Sequence, residues 1–93
     1  MPREQSLPPR SNFHLALGKA FRVIRTENRL SQEQVADRAA MDAGHLGEIE
    51  RGQGNPTVET CGRMVEALET SLARVGELTD EFLEGQDWWG LSP

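Results

Sequence analysis

Apolar residues recur along the chain every three or four positions, the period of a helix with one buried face, with no strand pattern. Phe13, Leu17, Phe21 and Ile24 make the first such stripe. Ser11 or Asn12 can cap it, and it is expected to end near Asn28. Ser31 opens a second helix with Val35, Ala36 and Ala39 inward. Ser31 and Gln34 have the spacing of a capping box, in which a hydroxyl accepts from the amide three residues on and that residue's side chain reaches back. After a short turn at Ala40 and Met41, Asp42 can cap a third helix with Leu46 and Ile49 inward, which Gly52 and Gly54 stop. Asn55 and Pro56 form a turn, and Thr57 caps a fourth helix with Val58, Cys61, Met64, Val65 and Leu68 along one side. Ser71 caps a fifth, with Leu72, Val75, Leu78 and Phe82 inward; Gly76 weakens it by about 1 kcal/mol relative to alanine.

Five short helices with short links predict an all-α fold, a compact bundle occupying residues 12–84. Residues 1–11, with Pro2, Pro8 and Pro9, read as a flexible arm. Residues 85–93 read as an irregular tail that holds Trp88 and Trp89. The 93 residues suffice for one domain. Apolar runs stop at two or three residues, far short of the roughly 20 that span a bilayer, so no membrane association is expected. Met1 to Arg10 contains no apolar stretch of the secretory kind, and Cys61 has no second cysteine to pair with; both fit a cytoplasmic protein.

Within this pattern the stretch from Gln32 to Arg51 has the sizes that two helices crossing steeply over a tight turn require. Ala36 is small enough for close approach, while Val35, Ala39, Met41, Leu46 and Ile49 fill the wedge. Polar residues lie outward, so the third helix forms a ridge that fits a major groove about 12 Å wide. Net charge changes the picture. The chain carries -5, whereas a DNA-binding surface is usually basic. The acid is not evenly spread, however. Residues 1–63 carry nine Arg/Lys against eight Asp/Glu, and residues 64–93 carry one against seven. Distant charge is damped within a Debye length of about 8 Å at physiological salt, so the acidic end leaves the candidate surface nearly neutral.

From Leu17 to Val75 the chain resembles the phage-repressor and Cro-like helix-turn-helix proteins, also called XRE-type. The resemblance rests on Leu17-Gly18, Arg25, the run Leu30 to Ala36, Ile49-Glu50-Arg51-Gly52, Asn55-Pro56-Thr57 and Ala67-Leu68, in that order and spacing. It implies a bundle of the lambda-repressor-like type, a helix-turn-helix at 32–51, and double-stranded DNA binding in transcriptional regulation. By the same resemblance Arg25 and Glu50 are a structural ion pair joining the first helix to the end of the third. Gln32 is a phosphate contact, Ala43, Gly44, Gly47 and Glu48 occupy base-facing positions, and Arg51 to Asn55 form a loop that meets other phosphates.

The chain departs from the family pattern at two places. Ala40 stands where glycine usually makes the turn, and the third helix is poor in the Arg, Lys, Asn and Gln side chains that commonly read bases. His45 and Glu48 remain as direct readers, Glu48 as an acceptor from cytosine N4. Symmetric binding calls for a homodimer, whose surface is expected at Leu78, Phe82, Trp88 and Trp89, since aromatic residues are enriched in interfaces. An alternative reading is a protein-interaction adaptor or antitoxin-like module that works through the acidic C-terminal half. No nucleophile–base pair, phosphate loop or metal-spaced cluster is present in the sequence, so neither enzymatic activity nor a cofactor or metal is expected.

Overall fold

The computed structural model describes residues 7–85. They form five helices: α1 (Asn12–Glu27), α2 (Gln32–Arg38), α3 (Ala43–Glu50), α4 (Val58–Ala67) and α5 (Leu72–Glu84). Each begins where a side-chain oxygen accepts a first-turn amide that has no partner within the helix. Ser11 accepts from His14, Ser31 from Gln34, Asp42 from His45, Thr57 from Thr60 and Ser71 from Arg74. At α2 the box is complete: Ser31 N donates to Gln34 Oε1 at 2.8 Å, and Gln34 N donates to Ser31 Oγ at 3.1 Å. Helices of seven and eight residues such as α2 and α3 are marginal alone, so caps and packing define them.

Four helices are followed by a residue in the left-handed region: Arg29 (φ 58°), Ala40 (φ 55°), Gly52 (φ 79°) and Glu69 (φ 53°). That conformation lets the following amide reach back into the last turn, Leu30 N to Arg25 O at 3.1 Å, Met41 N to Ala36 O at 2.9 Å and Thr70 N to Val65 O at 3.1 Å. Ala40 therefore holds the turn between α2 and α3 at a cost of about 1 kcal/mol relative to an unstrained residue.

Phe21, Val35, Leu46, Ile49, Met64 and Val75 are the largest fully buried side chains and draw on all five helices. α5 lies antiparallel to α1. Arg74 Nη2 near its start is 3.6 Å from Glu27 Oε2 at the end of α1, and Lys19 Nζ sits 6.0 Å over the Phe82 ring at its far end. α3 crosses α1 at Gly18, where a β-carbon would fall 2.2 Å from Ile49 O and 2.7 Å from Glu50 O. Only glycine permits that approach, which fixes the end of α3 against α1.

Several apolar positions differ from the sequence expectation. Phe13, Val58 and Leu72 are 56%, 90% and 72% exposed instead of inward. All three stand at the start of a helix, and helical side chains lean toward the N-terminus, so first-turn residues project past the body they were expected to enter. Conversely, Leu78 is buried in the subunit's own core, which removes it from the surface offered to a partner, and Phe82 is half-buried. Cys61 is half-buried against the core instead of within it, and burial pushes its thiol pKa up. The arm expected to be flexible over 1–11 is tied down in its described part: Arg10 N donates to Gly52 O at 2.8 Å. Trp88 and Trp89 lie outside the described residues. Among the described residues no helix is long and apolar enough to cross a membrane.

Candidate nucleic-acid interface

Two short capped helices meeting over the Ala40 turn place the start of α2 beside the end of α3. The contact is organised by one carboxylate. Glu50 Oε2 accepts from Arg25 Nε at 2.6 Å, and Oε1 accepts from Arg25 Nη2 at 3.0 Å and from Gln32 Nε2 at 3.0 Å. Arg25 Nη1 also donates to Leu30 O at 2.8 Å. Glu50 is buried, so its charge is tolerated only because the fork of Arg25 and the amide of Gln32 meet it in a fixed geometry. Three segments are thereby held in register: α1, the start of α2 and the end of α3.

Gln32, half-buried by its bond to Glu50, also flanks α3. A β-carbon at Gly47 would lie 3.2 Å from Arg51 Nη1 and 3.5 Å from Gln32 Oε1. Glycine at this position lets the two side chains close over the helix backbone. Gly47 is therefore buried, not open as its base-facing assignment implied, and its contribution is to bring Gln32 and Arg51 together. Ala43 is half-buried against the core and presents only part of its surface. Gly44 is exposed. His45 and Glu48 are partly exposed one helical turn apart, with His45 Nδ1 3.7 Å from Glu48 Oε1. The outward edge of α3 thus consists of Gly44, His45 and Glu48, with Gln32 and Arg51 alongside.

Beyond α3 the chain turns through residues 51–55. Arg51 Nε donates to Gln53 Oε1 at 2.9 Å. Asn55 is exposed, and its Oδ1 lies 3.0 Å from His14 Nε2. Residues that sequence reasoning did not connect with this surface converge here from the N-terminal segment. Arg10 Nε donates to Gln53 O at 2.8 Å, and Gln53 Nε2 donates to Leu7 O at 2.7 Å. No periodicity or motif signals a contact between positions 43 or 46 residues apart.

Comparison with known proteins agrees with this architecture. Residues 21–75 match the family described as helix-turn-helix. An uncharacterised helix-turn-helix-type transcriptional regulator of Sinorhizobium fredii is 37% identical over 65 residues, 70% of this chain and 84% of that protein. The immunity repressor protein of Bacillus phage phi105 is 35% identical over 66 residues, covering 70% of this chain and 46% of that one. The crystal structure of the clp gene regulator ClgR from Corynebacterium glutamicum superposes with a TM-score of 0.80 at 26% identity, over 88% of this chain and 87% of that chain. With its capped α2–α3 pair locked to α1 through Glu50, the chain belongs to the helix-turn-helix family, in its phage-repressor and Cro-like branch.

Proposed function

We propose that this protein binds double-stranded DNA as a small transcriptional regulator, with α3 in the major groove and the start of α2 on the phosphate backbone. The observation that carries this reading is the arrangement of α3. Its edge of Gly44, His45 and Glu48 is open, and Gln32 and Arg51 are drawn to its flank across Gly47. Gly44 on that edge favours close backbone approach to the base edges. His45 and Glu48 are the side chains with reach, Glu48 as an acceptor from cytosine N4. Arg51, the amides at the start of α3 and the 51–55 loop supply the phosphate contacts that carry most of the affinity. Few base contacts of this kind leave much of the discrimination to DNA shape.

Arg51→Glu combined with Gln32→Ala tests this assignment, because phosphate contacts carry no sequence information. The double variant is expected to weaken binding to all duplexes alike in a gel-shift titration at fixed salt. Unchanged affinity refutes the contact assignment.

Symmetric recognition adds a second copy, with two α3 helices in successive major grooves about 34 Å apart. The face that supports a homodimer is the groove lined by Phe13, Leu17, Val58, Cys61, Val65 and Leu72. A chain of net charge -5 repels itself, and this groove carries no ionisable carboxylate, so two copies can meet there without bringing acid against acid. The cytoplasm, where DNA is reached, is the expected location.

A further inference from the structure

Residues 7–14 cross the 51–55 loop, and their contacts have no role in the core. Gly52 O and Gln53 O, the loop's outward carbonyls, accept from Arg10 N and Arg10 Nε, both at 2.8 Å. Gln53 Nε2 donates to Leu7 O at 2.7 Å, and His14 Nε2 meets Asn55 Oδ1 at 3.0 Å. The loop's inward amides are already satisfied by α3: Gly52 N donates to Ile49 O at 3.0 Å, and Gln53 N and Gly54 N donate to Glu48 O at 2.8 and 3.0 Å. The loop is thus held from below by the end of α3 and from above by the N-terminal segment.

We infer that residues 7–14 act as a strap that sets the 51–55 loop for the phosphate backbone, with Arg10 and His14 as positioning residues for DNA binding. The inference rests on the DNA-binding reading of that loop. Its physical basis is preorganisation. A segment containing Gly52 and Gly54 has wide backbone freedom, and freedom that must be lost on binding weakens binding. The strap removes that freedom beforehand. It also orients Asn55. In the neutral His14 ring Nε2–H donates to Asn55 Oδ1, while Nδ1 accepts from the Ser11 hydroxyl 2.7 Å away. With Oδ1 committed to His14, the Asn55 Nδ2 donor is the group left for a phosphate oxygen. Leu7 and Arg10 are exposed and Pro9 is half-buried against Gly52, so hydrogen bonds together with this one apolar contact hold the strap down. Loss of one side-chain bond loosens the loop locally, because the remaining bonds, among them Arg10 N to Gly52 O, and the core stay in place.

The test uses the full chain as native protein and as Arg10→Ala, His14→Ala and His14→Gln. Three quantities are measured: binding of a fluorescein-labelled duplex by anisotropy at one salt concentration, amide hydrogen exchange over residues 51–55, and thermal melting. Each alanine variant is expected to bind about tenfold more weakly, the scale of one well-made hydrogen bond, with faster exchange over 51–55 and a melting temperature lowered by no more than about 10 °C, so that the protein is still folded in the binding assay. His14→Gln keeps an N–H donor for Asn55 and is expected to recover most of the affinity, which a loss of ring packing alone does not predict. Native affinity in both alanine variants overturns the strap and leaves the DNA reading standing. Weakened binding with unchanged exchange also overturns it, because Arg10 or His14 then touches DNA directly. A native protein that binds no duplex removes the DNA reading itself, and the strap's role with it.

Discussion

Two adjoining surfaces of this molecule handle their side chains in opposite ways. Around α2, α3 and the 51–55 loop, polar groups are committed to one another: Glu50 holds Arg25 and Gln32, Gln53 holds Arg51, and Arg10 and His14 reach in from the N-terminal segment. In the first turns of α1, α4 and α5, by contrast, the apolar side chains of Phe13, Val58 and Leu72 stand in solvent. Directional bonds fix where backbone and charge are presented, as phosphate recognition requires. Apolar surface is undirected and suits burial against another molecule. The contrast separates a surface built for geometry from one built for association.

The largest expected effect is on the network. Glu50→Ala strands the Arg25 guanidinium and frees Gln32, and the loss of one member of a buried pair costs about 3 to 5 kcal/mol. Urea denaturation followed by circular dichroism measures it, and a loss below about 1 kcal/mol shows that the pair is not what holds α3 to α1. Gly18→Ala comes next. Its β-carbon at 2.2 Å from Ile49 O forces α1 and α3 apart, an overpacking effect of about 1 to 3 kcal/mol in the same assay. Ala40→Gly is expected to act in the other direction. Relief of φ 55° stabilises the protein by up to about 1 kcal/mol, offset in part by the freedom glycine gains on unfolding.

Leu72→Glu probes the apolar face and is expected to change the stability of a single subunit by less than about 0.5 kcal/mol. It nonetheless places a carboxylate in the uncharged groove, and sedimentation equilibrium is expected to show the dimer converted to monomer. A wild-type protein that is monomeric at all concentrations, or a Leu72→Glu protein that is still dimeric, moves the association surface elsewhere. Cys61 gives the smallest signal. Burial raises its thiol pKa and so lowers the thiolate fraction at a given pH, and alkylation by iodoacetamide is expected to be slower in the folded protein than in urea. Dilution to monomer is expected to raise the rate, since Cys61 lines the same groove.

The sequence was most informative where causes are local. All five helix starts follow from a capping side chain acting on an amide three residues away, and the Asp42 cap places the turn at Ala40 and Met41 just before it. Periodicity correctly assigned Phe21, Ile24, Leu46, Ile49 and Val75 to the interior. It misassigned Phe13, Val58 and Leu72 because it reports the face of a helix and not the position along its axis. The same restriction hid the buried state of Gly47, which depends on where the Gln32 and Arg51 side chains close. Contacts between the N-terminal segment and the 51–55 loop left no trace in the pattern. They pair the side chains of Arg10, His14 and Gln53 with groups 41 to 46 residues away, a separation at which no periodicity or capping rule acts.

The most direct test of the account is a salt titration of native protein with duplexes recovered by selection from a random pool. If the α3 edge and its flanking loop lie along a duplex, affinity is expected to fall steeply and log-linearly with salt, with a slope of about 0.9 per phosphate contact displaced. Absence of duplex binding even at low salt contradicts the account.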